Sequence, residues 1–172
     1  MITDTISLFS KTLPQRGRVL GLDLGAKRIG IAISDPSRKI ASPLYTLQRT
    51  KFTKDASKIK SLCHDDGVKG LIIGLPINMD GSEGKACQAS REFSRLFYEF
   101  SGLPILLWDE RLSTIAITKT MIEADLSRRR QGEVVDKMAA AYILQGALDT
   151  IGSVGSGPVS YTHLTLPTNR EV

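Results

Sequence analysis

Two short apolar runs open the informative part of the chain, Arg18 to Leu24 and Ile29 to Ser34, both rich in leucine and β-branched residues. The segment between them, Gly25 to Arg28, has turn composition, so the pair predicts a β-hairpin. A third extended piece, Ile40 to Arg49, follows the "DPSR" turn at Asp35 to Arg38 and completes three successive antiparallel strands. The period then becomes helical. Ala56, Ile59, Leu62 and Cys63 fall on one face, and Gly67 stops that helix. "GLIIGLP" is apolar throughout and flanked by glycine, as a parallel strand covered on both faces should be.

A second helical stripe carries Ala86, Ala89, Phe93, Leu96, Phe97 and Phe100, and "LPILLWDER" reads as another buried strand. Ser113 can cap a helix through Ile117, Met121 and Ala124, which the polar "DLSRRRQGE" interrupts. The last helix is expected from about Val134, with Val135, Met138, Ala139, Tyr142, Ile143 and Gly146 on one face. The order βββαβαβαα predicts an α/β fold. Three meandering antiparallel strands followed by two parallel ones, joined by right-handed crossovers, make a mixed five-stranded sheet with helices on both faces. At 172 residues the chain has the length of one domain, placed at 18–151. Residues 1–17 read as an N-terminal extension. Residues 152–172, rich in Gly, Ser, Thr and Pro and without amphipathic period, read as a flexible, non-native tail.

Composition changes this picture little. Charged residues make up 24% and apolar ones 41%, ordinary for a soluble protein, and no apolar run nears the ~18 residues of a membrane span. No membrane partner is expected. The N-terminus lacks a basic segment followed by an apolar stretch, so the cytoplasm is the expected location. Cys63 and Cys87, 24 positions apart, fit neither a zinc site nor a disulfide framework and read as small core residues. Charge placement is more telling: residues 1–60 hold 12 Lys/Arg against 4 Asp/Glu, and the remainder 11 against 14. Such a basic end suits a polyanion, nucleic acid above all.

One carboxylate sits where it should not. Asp23 lies inside an apolar run, where an ionised acid loses solvation unless a cation or dense hydrogen bonding holds it. In an open sheet ligands collect beyond the carboxyl ends of parallel strands. Asp23 is near the end of the first strand, and Asp109 with Glu110 lies at the end of "ILLWDER". Asp136 is expected in the first turn of the final helix, where small Ala139 and Ala140 allow close approach to the sheet. Converging acids repel, and a hard divalent cation with oxygen ligands is the usual remedy. Two such ions suit phosphodiester hydrolysis.

Lys27 and Arg28, at the hairpin tip, are then candidate phosphate contacts, and Arg129 in "SRRRQ" can grip a second stretch of strand. Asn78, in the "GLPINMDGSEG" turn, precedes a helix whose free amides can take a phosphate. Arg111 is a further candidate contact, and also the natural partner of whichever of Asp109 and Glu110 faces away from a metal. Each acid has a structural alternative. Asp23 can cap the hairpin turn, Asp136 can answer the helix dipole, and Asp35 before Pro36 reads as a turn residue. Trp108 reads as core.

The segments "DLGAKRIGIAISD", "GLPINMDGSEG", "WDERLST" and "VVDKMAAAYILQGAL", in this order from Arg18 to Ile151, resemble the YqgF-type pre-16S ribosomal RNA nucleases. That family is a Holliday junction resolvase-like branch of the ribonuclease H-like superfamily. The resemblance implies a ribonuclease H-like fold. It also implies catalytic, metal-binding roles for Asp23, for the Asp109 and Glu110 pair with Glu110 favoured, and for Asp136. Mg²⁺ or Mn²⁺, as two ions, is the implied cofactor, precursor ribosomal RNA the implied partner, and a monomer or homodimer the expected state. Two alternatives stand beside it: a junction-resolving DNA endonuclease on the same fold, and a non-catalytic, transcription-associated nucleic-acid-binding module. A nucleotide phosphotransferase, suggested by "GLDLGAKRIGIA", ranks lower because the chain has length for only one such domain.

Overall fold

The computed structural model describes residues 1–112 and 128–155, the side chains of 128–131 and of 155 apart. The first two elements are a short strand, β1 (Ile2–Thr3), and a helix, α1 (Ile6–Thr12). The three-strand meander is β2 (Arg18–Leu24), β3 (Arg28–Ser34) and β4 (Ala41–Gln48). Then come α2 (Phe52–Asp65), β5 (Val68–Leu75), α3 (Lys85–Ser101) and β6 (Ile105–Asp109). A 3₁₀ turn at Glu110–Leu112 and the long helix α4 (Arg128–Gly155) complete the described elements. The expected α/β architecture is present, with strand order β1-β6-β5-β2-β3-β4. The meander is antiparallel, and β2, β5, β6 and β1 run parallel.

Three details differ from the sequence reading. The sheet has six strands, because β1 pairs with β6 through Ile2 opposite Ile105, and two residues carry no period to read. The segment before residue 18 is therefore packed into the fold, with Phe9 of α1 fully buried. Finally, α4 begins at Arg128 rather than near Val134, which puts Asp136 two turns inside the helix instead of in its first turn. The dipole explanation for that acid loses its basis, since the effect fades beyond the terminal turn. The helix expected over Ser113 to Ala124, and the tail from residue 156, lie outside the described residues.

Alternation along the strands divides the core into two layers. One face of the sheet sends Leu20, Leu22, Ile29, Ile31, Leu71, Ile73, Ile105 and Leu107 against α2 and α3, including Ile59, Phe93 and Phe97. The other sends Val19, Ala32, Ile72, Leu106 and Trp108 against Phe9 and the α4 residues Ala139, Ala140, Ile143 and Leu144. On that second face the sheet also places Gly21, Gly30 and Gly74 under α4. A β-carbon on Gly21 would come 2.7 Å from Leu144 Cβ, and one on Gly30 would run into the main-chain oxygen of Asp136. The glycines let the helix backbone settle on the strands. No described helix is long and apolar enough to cross a membrane.

Candidate active site at the sheet rim

Asp23 lies directly opposite Gly30 in the β2–β3 ladder, and such pairs share a face. Because Gly30 lies under α4, so does Asp23, at 8% exposure. The hairpin turn beyond it is closed by the amide of Gly25 on the carbonyl of Arg28, at 2.9 Å. Arg49 braces that turn from the end of β4: its amide reaches the carbonyl of Lys27 at 2.9 Å, and its guanidinium the carbonyl of Gly25 at 2.7 Å. The sequence reading placed Arg49 at the end of the third strand without a role; the strand itself stops at Gln48. Lys27 is exposed at the tip.

Strand parity separates the two adjacent acids. Asp109 pairs in register with Leu75, which faces α2 and α3. Trp108 pairs with Gly74 and faces α4, and Glu110 returns to that side: its Oε2 lies 2.7 Å from where a β-carbon on Gly74 would be. Glu110 thus shares the face of Asp23 and Asp136. Asp109 does not: it points to the opposite side of the sheet. Its carboxylate accepts Arg111 Nη2 at 2.7 Å, Nε at 3.1 Å and the Arg111 amide at 2.9 Å. The guanidinium hydrogen bond holds the Asp109 carboxyl below its ordinary range and raises Arg111 in turn. Arg111 is thereby turned to Asp109 and to the carbonyl of Asn78, 3.5 Å away, rather than toward the acid face.

Asn78 sits in a closed turn, its amide on the Ser82 carbonyl at 2.9 Å and its side-chain amide donating to Ser82 Oγ at 3.0 Å. Gly81, at φ +88°, makes the reversal possible. Asp35 is a turn residue as read: its carboxylate accepts the amides of Lys39 and Ile40, both at 2.8 Å, and the Ser37 hydroxyl. Those bonds, Ser37 first, hold it well below the usual carboxylate range. The side chain of Arg129 lies outside those described. Both cysteines are buried, and burial pushes the Cys63 thiol up to about 12.

Arg28 is the largest departure from expectation. Its guanidinium does not reach out from the hairpin; Nε donates to Asp136 Oδ2 at 2.6 Å. Four residues earlier on α4, Gly132 leaves the room: a β-carbon there would come 2.6 Å from Arg28 Nη2 and 2.8 Å from its Cζ. Thr46 of β4 also donates to the Glu133 carbonyl at 2.5 Å, so β3 and β4 both hold this stretch of helix. Asp23, Glu110 and Asp136 thus occupy one face of one rim, all with hard oxygen donors. As placed, they do not make a holding site: among the described residues no group of three or more His, Cys, Asp or Glu side chains is arranged to hold a metal ion.

A family model for RuvX, described as Holliday junction resolvase, matches residues 17–150. This chain belongs to the RuvX family. A relative from Cereibacter sphaeroides strain ATCC 17025, named "Putative pre-16S rRNA nuclease", is 50% identical over 155 residues, covering 90% of this chain and 97% of its own. A relative of the same name from Paramagnetospirillum magneticum is 56% identical over 138 residues, covering 80% and 89%. Among solved structures, T. thermophilus RuvC in complex with Holliday junction substrate matches with a TM-score of 0.50 at 11% identity, over 80% of this chain and 97% of that one. At that identity the likeness concerns the fold, and it places this RuvX chain in the ribonuclease H-like class expected from the resemblance.

Proposed function

We propose that this RuvX chain is a nuclease that trims the 5′ end of the 16S ribosomal RNA precursor. The observation that carries the reading is the sharing of one rim and one face by Asp23, Glu110 and Asp136, beside a basic hairpin, in a chain half-identical to proteins named for that activity. Lys27, exposed at the hairpin tip next to Asp23, is placed to take a backbone phosphate as that strand crosses the rim. The three acids then bracket the phosphodiester. Their donors match Mg²⁺ or Mn²⁺ in kind but, as placed, not in spacing.

The test incubates the full chain with end-labelled precursor RNA and Mg²⁺ or Mn²⁺, beside folded Asp23→Asn and Glu110→Gln variants. Site-specific 5′ cleavage by the wild type alone supports the reading; equal cleavage by the variants overturns it. A second reading, resolution of four-way DNA junctions, is favoured by the description attached to the RuvX family. A junction substrate in the same assay decides between them by rate. A non-catalytic module ranks third, since all three acids are present.

A further inference from the structure

We propose that a single strand of the RNA substrate leaves the rim at Lys27 and runs down the outer flank of α2, with its phosphates on Lys51, Lys54 and Lys58 and one of its bases stacked on Tyr45. This deepens the proposed nuclease reading and rests on it for the identity of the polyanion.

The helix α2 starts at the rim. The end of β4 lies opposite the first residue of β3, Gln48 against Arg28, and Arg49 ties it to the hairpin tip through its amide on the Lys27 carbonyl. Lys51 follows two residues later, and the helix then descends toward the start of β5. Lys51, Lys54 and Lys58 recur at the three- and four-residue spacing of one helical stripe about 10 Å long, and all three are exposed. Lys60 lies on the other flank, where its ammonium donates to the Phe100 carbonyl of α3 at 3.2 Å. Since α3 packs on β5, β6 and β1, the stripe faces the opposite way, toward the β4 edge of the sheet.

The charge of this stripe is left standing. The one acid in residues 51–60, Asp55, is 2% exposed and turns inward, accepting the Thr50 amide at 3.0 Å and the Thr50 hydroxyl at 2.8 Å. On α3 the arginines are answered close by, Arg91 by Glu83 and Arg95 by Glu92 and Glu99. Among the described residues none of Lys51, Lys54 and Lys58 forms a salt bridge. Like charges three and four residues apart repel, and a polyanion laid along them removes that repulsion.

The edge strand adds an aromatic ring on the same side. Tyr45 of β4 pairs with Ile31, whose side chain faces α2 and α3, so Tyr45 stands on that side of the sheet too. At 39% exposure its ring is open to solvent. A row of cations with an aromatic ring alongside is how single-stranded nucleic acid is held without reading its sequence, the phosphates meeting the charges and a base stacking on the ring. One row of lysines suits one backbone.

The test follows binding of a fluorescein-labelled single-stranded oligoribonucleotide to the full chain by anisotropy, in EDTA so that no cleavage intervenes, over a range of salt concentrations. Lys51→Gln, Lys54→Gln and Lys58→Gln together should lower the slope of log affinity against log salt by about 2, from ~0.7 for each phosphate contact on a single strand. Lysine and glutamine have similar helix propensities, so α2 should persist. Lys51→Arg, Lys54→Arg and Lys58→Arg together should keep the wild-type slope, which separates charge from any loss of helix. Tyr45→Ala should weaken binding about tenfold at every salt concentration without changing the slope, as for one lost stacking contact, and Tyr45→Phe should bind like wild type. Lys11, Lys39 and Lys69 are exposed toward the opposite end of the sheet, and replacing all three by Gln removes the same charge. That change should move the slope by less than the ~0.7 of a single contact. An equal slope change in both Gln triples, or none in the first, overturns the inference, and a Tyr45→Ala variant that binds like wild type overturns the course past β4. A slope change on duplex DNA without one on the single strand assigns the surface to a duplex and also overturns it. The expected slope change in a chain that cleaves no RNA overturns the nuclease reading alone, and acid-dependent cleavage with an unchanged slope overturns this inference alone.

Discussion

Toward α2 and α3 the sheet presents Leu20, Leu22, Ile29, Ile31, Leu71 and Ile73, large side chains that interlock with Ile59, Phe93 and Phe97. Toward α4 the same three strands alternate Gly21, Gly30 and Gly74 with Val19, Ala32 and Ile72, and meet Ala139 and Ala140. The first face gains stability from buried volume. The second gives up volume for approach, so that the backbone of Asp136 settles over Gly30, the residue opposite Asp23, and its carboxylate meets Arg28. The acids divide along the same line. Glu110 falls on the glycine face with the other two, while Asp109, one residue earlier, falls on the other and is held by Arg111. Glycine on a strand here marks where a helix backbone comes close to the sheet.

The sharpest way to break that contrast is to neutralise acids on each face in turn. Asp23→Asn, Glu110→Gln and Asp136→Asn should each lower the RNA cleavage rate by about a thousandfold, equivalent to ~4 kcal/mol of barrier, whereas Asp109→Asn should change it less than about threefold. Single-turnover rates on labelled RNA decide it, and a large loss in Asp109→Asn would mean that the parity assignment is wrong. Next in size is packing. Gly30→Ala puts a methyl group against main chain that cannot yield and should destabilise by about 3 kcal/mol, against about 1 for Ile31→Val one residue on, in urea unfolding.

Smaller effects separate the faces by pH. Arg111 holds the Asp109 carboxyl below its ordinary value, so the pair stabilises the fold above the unfolded pKa near 4 and loses that contribution as pH falls through the lowered one. Asp109→Asn should therefore flatten the acid limb of a stability-against-pH curve by less than about 1 kcal/mol, the range of a partly exposed pair. The smallest change is expected at Trp108, whose buried Nε1 has no hydrogen-bond partner among the described residues. Trp108→Phe removes an unsatisfied donor as well as volume, so the two effects offset and the midpoint should move by under about 1 kcal/mol.

Much of this was readable in advance, for reasons that lie in particular residues. The five longer strands announce themselves through unbroken apolar runs such as "GLIIGLP", and α3 through its phenylalanine stripe. β1 stayed hidden because Ile2 and Thr3 take their identity from Ile105 and Leu106 across the sheet. The start of α4 was misplaced because Arg128 to Arg130 have helix-compatible side chains without an apolar period. Asp23 was conspicuous as an acid among apolar neighbours. Choosing between Asp109 and Glu110 required the register of β6 on β5, since adjacent residues differ only in the face they meet.

The local order of apolar and polar residues was enough to determine the α/β class, the meander followed by crossovers, and the acids worth following, because burial period is written into neighbouring positions. What Arg28 does was decided elsewhere. Its partner lies 108 residues away, and its seat exists because Gly30 lets α4 down onto the sheet and Gly132 leaves room beside it. A side chain at a turn reads as free until the fold brings another element within reach, since local sequence specifies the direction of the chain and only packing specifies what stands at the end of it.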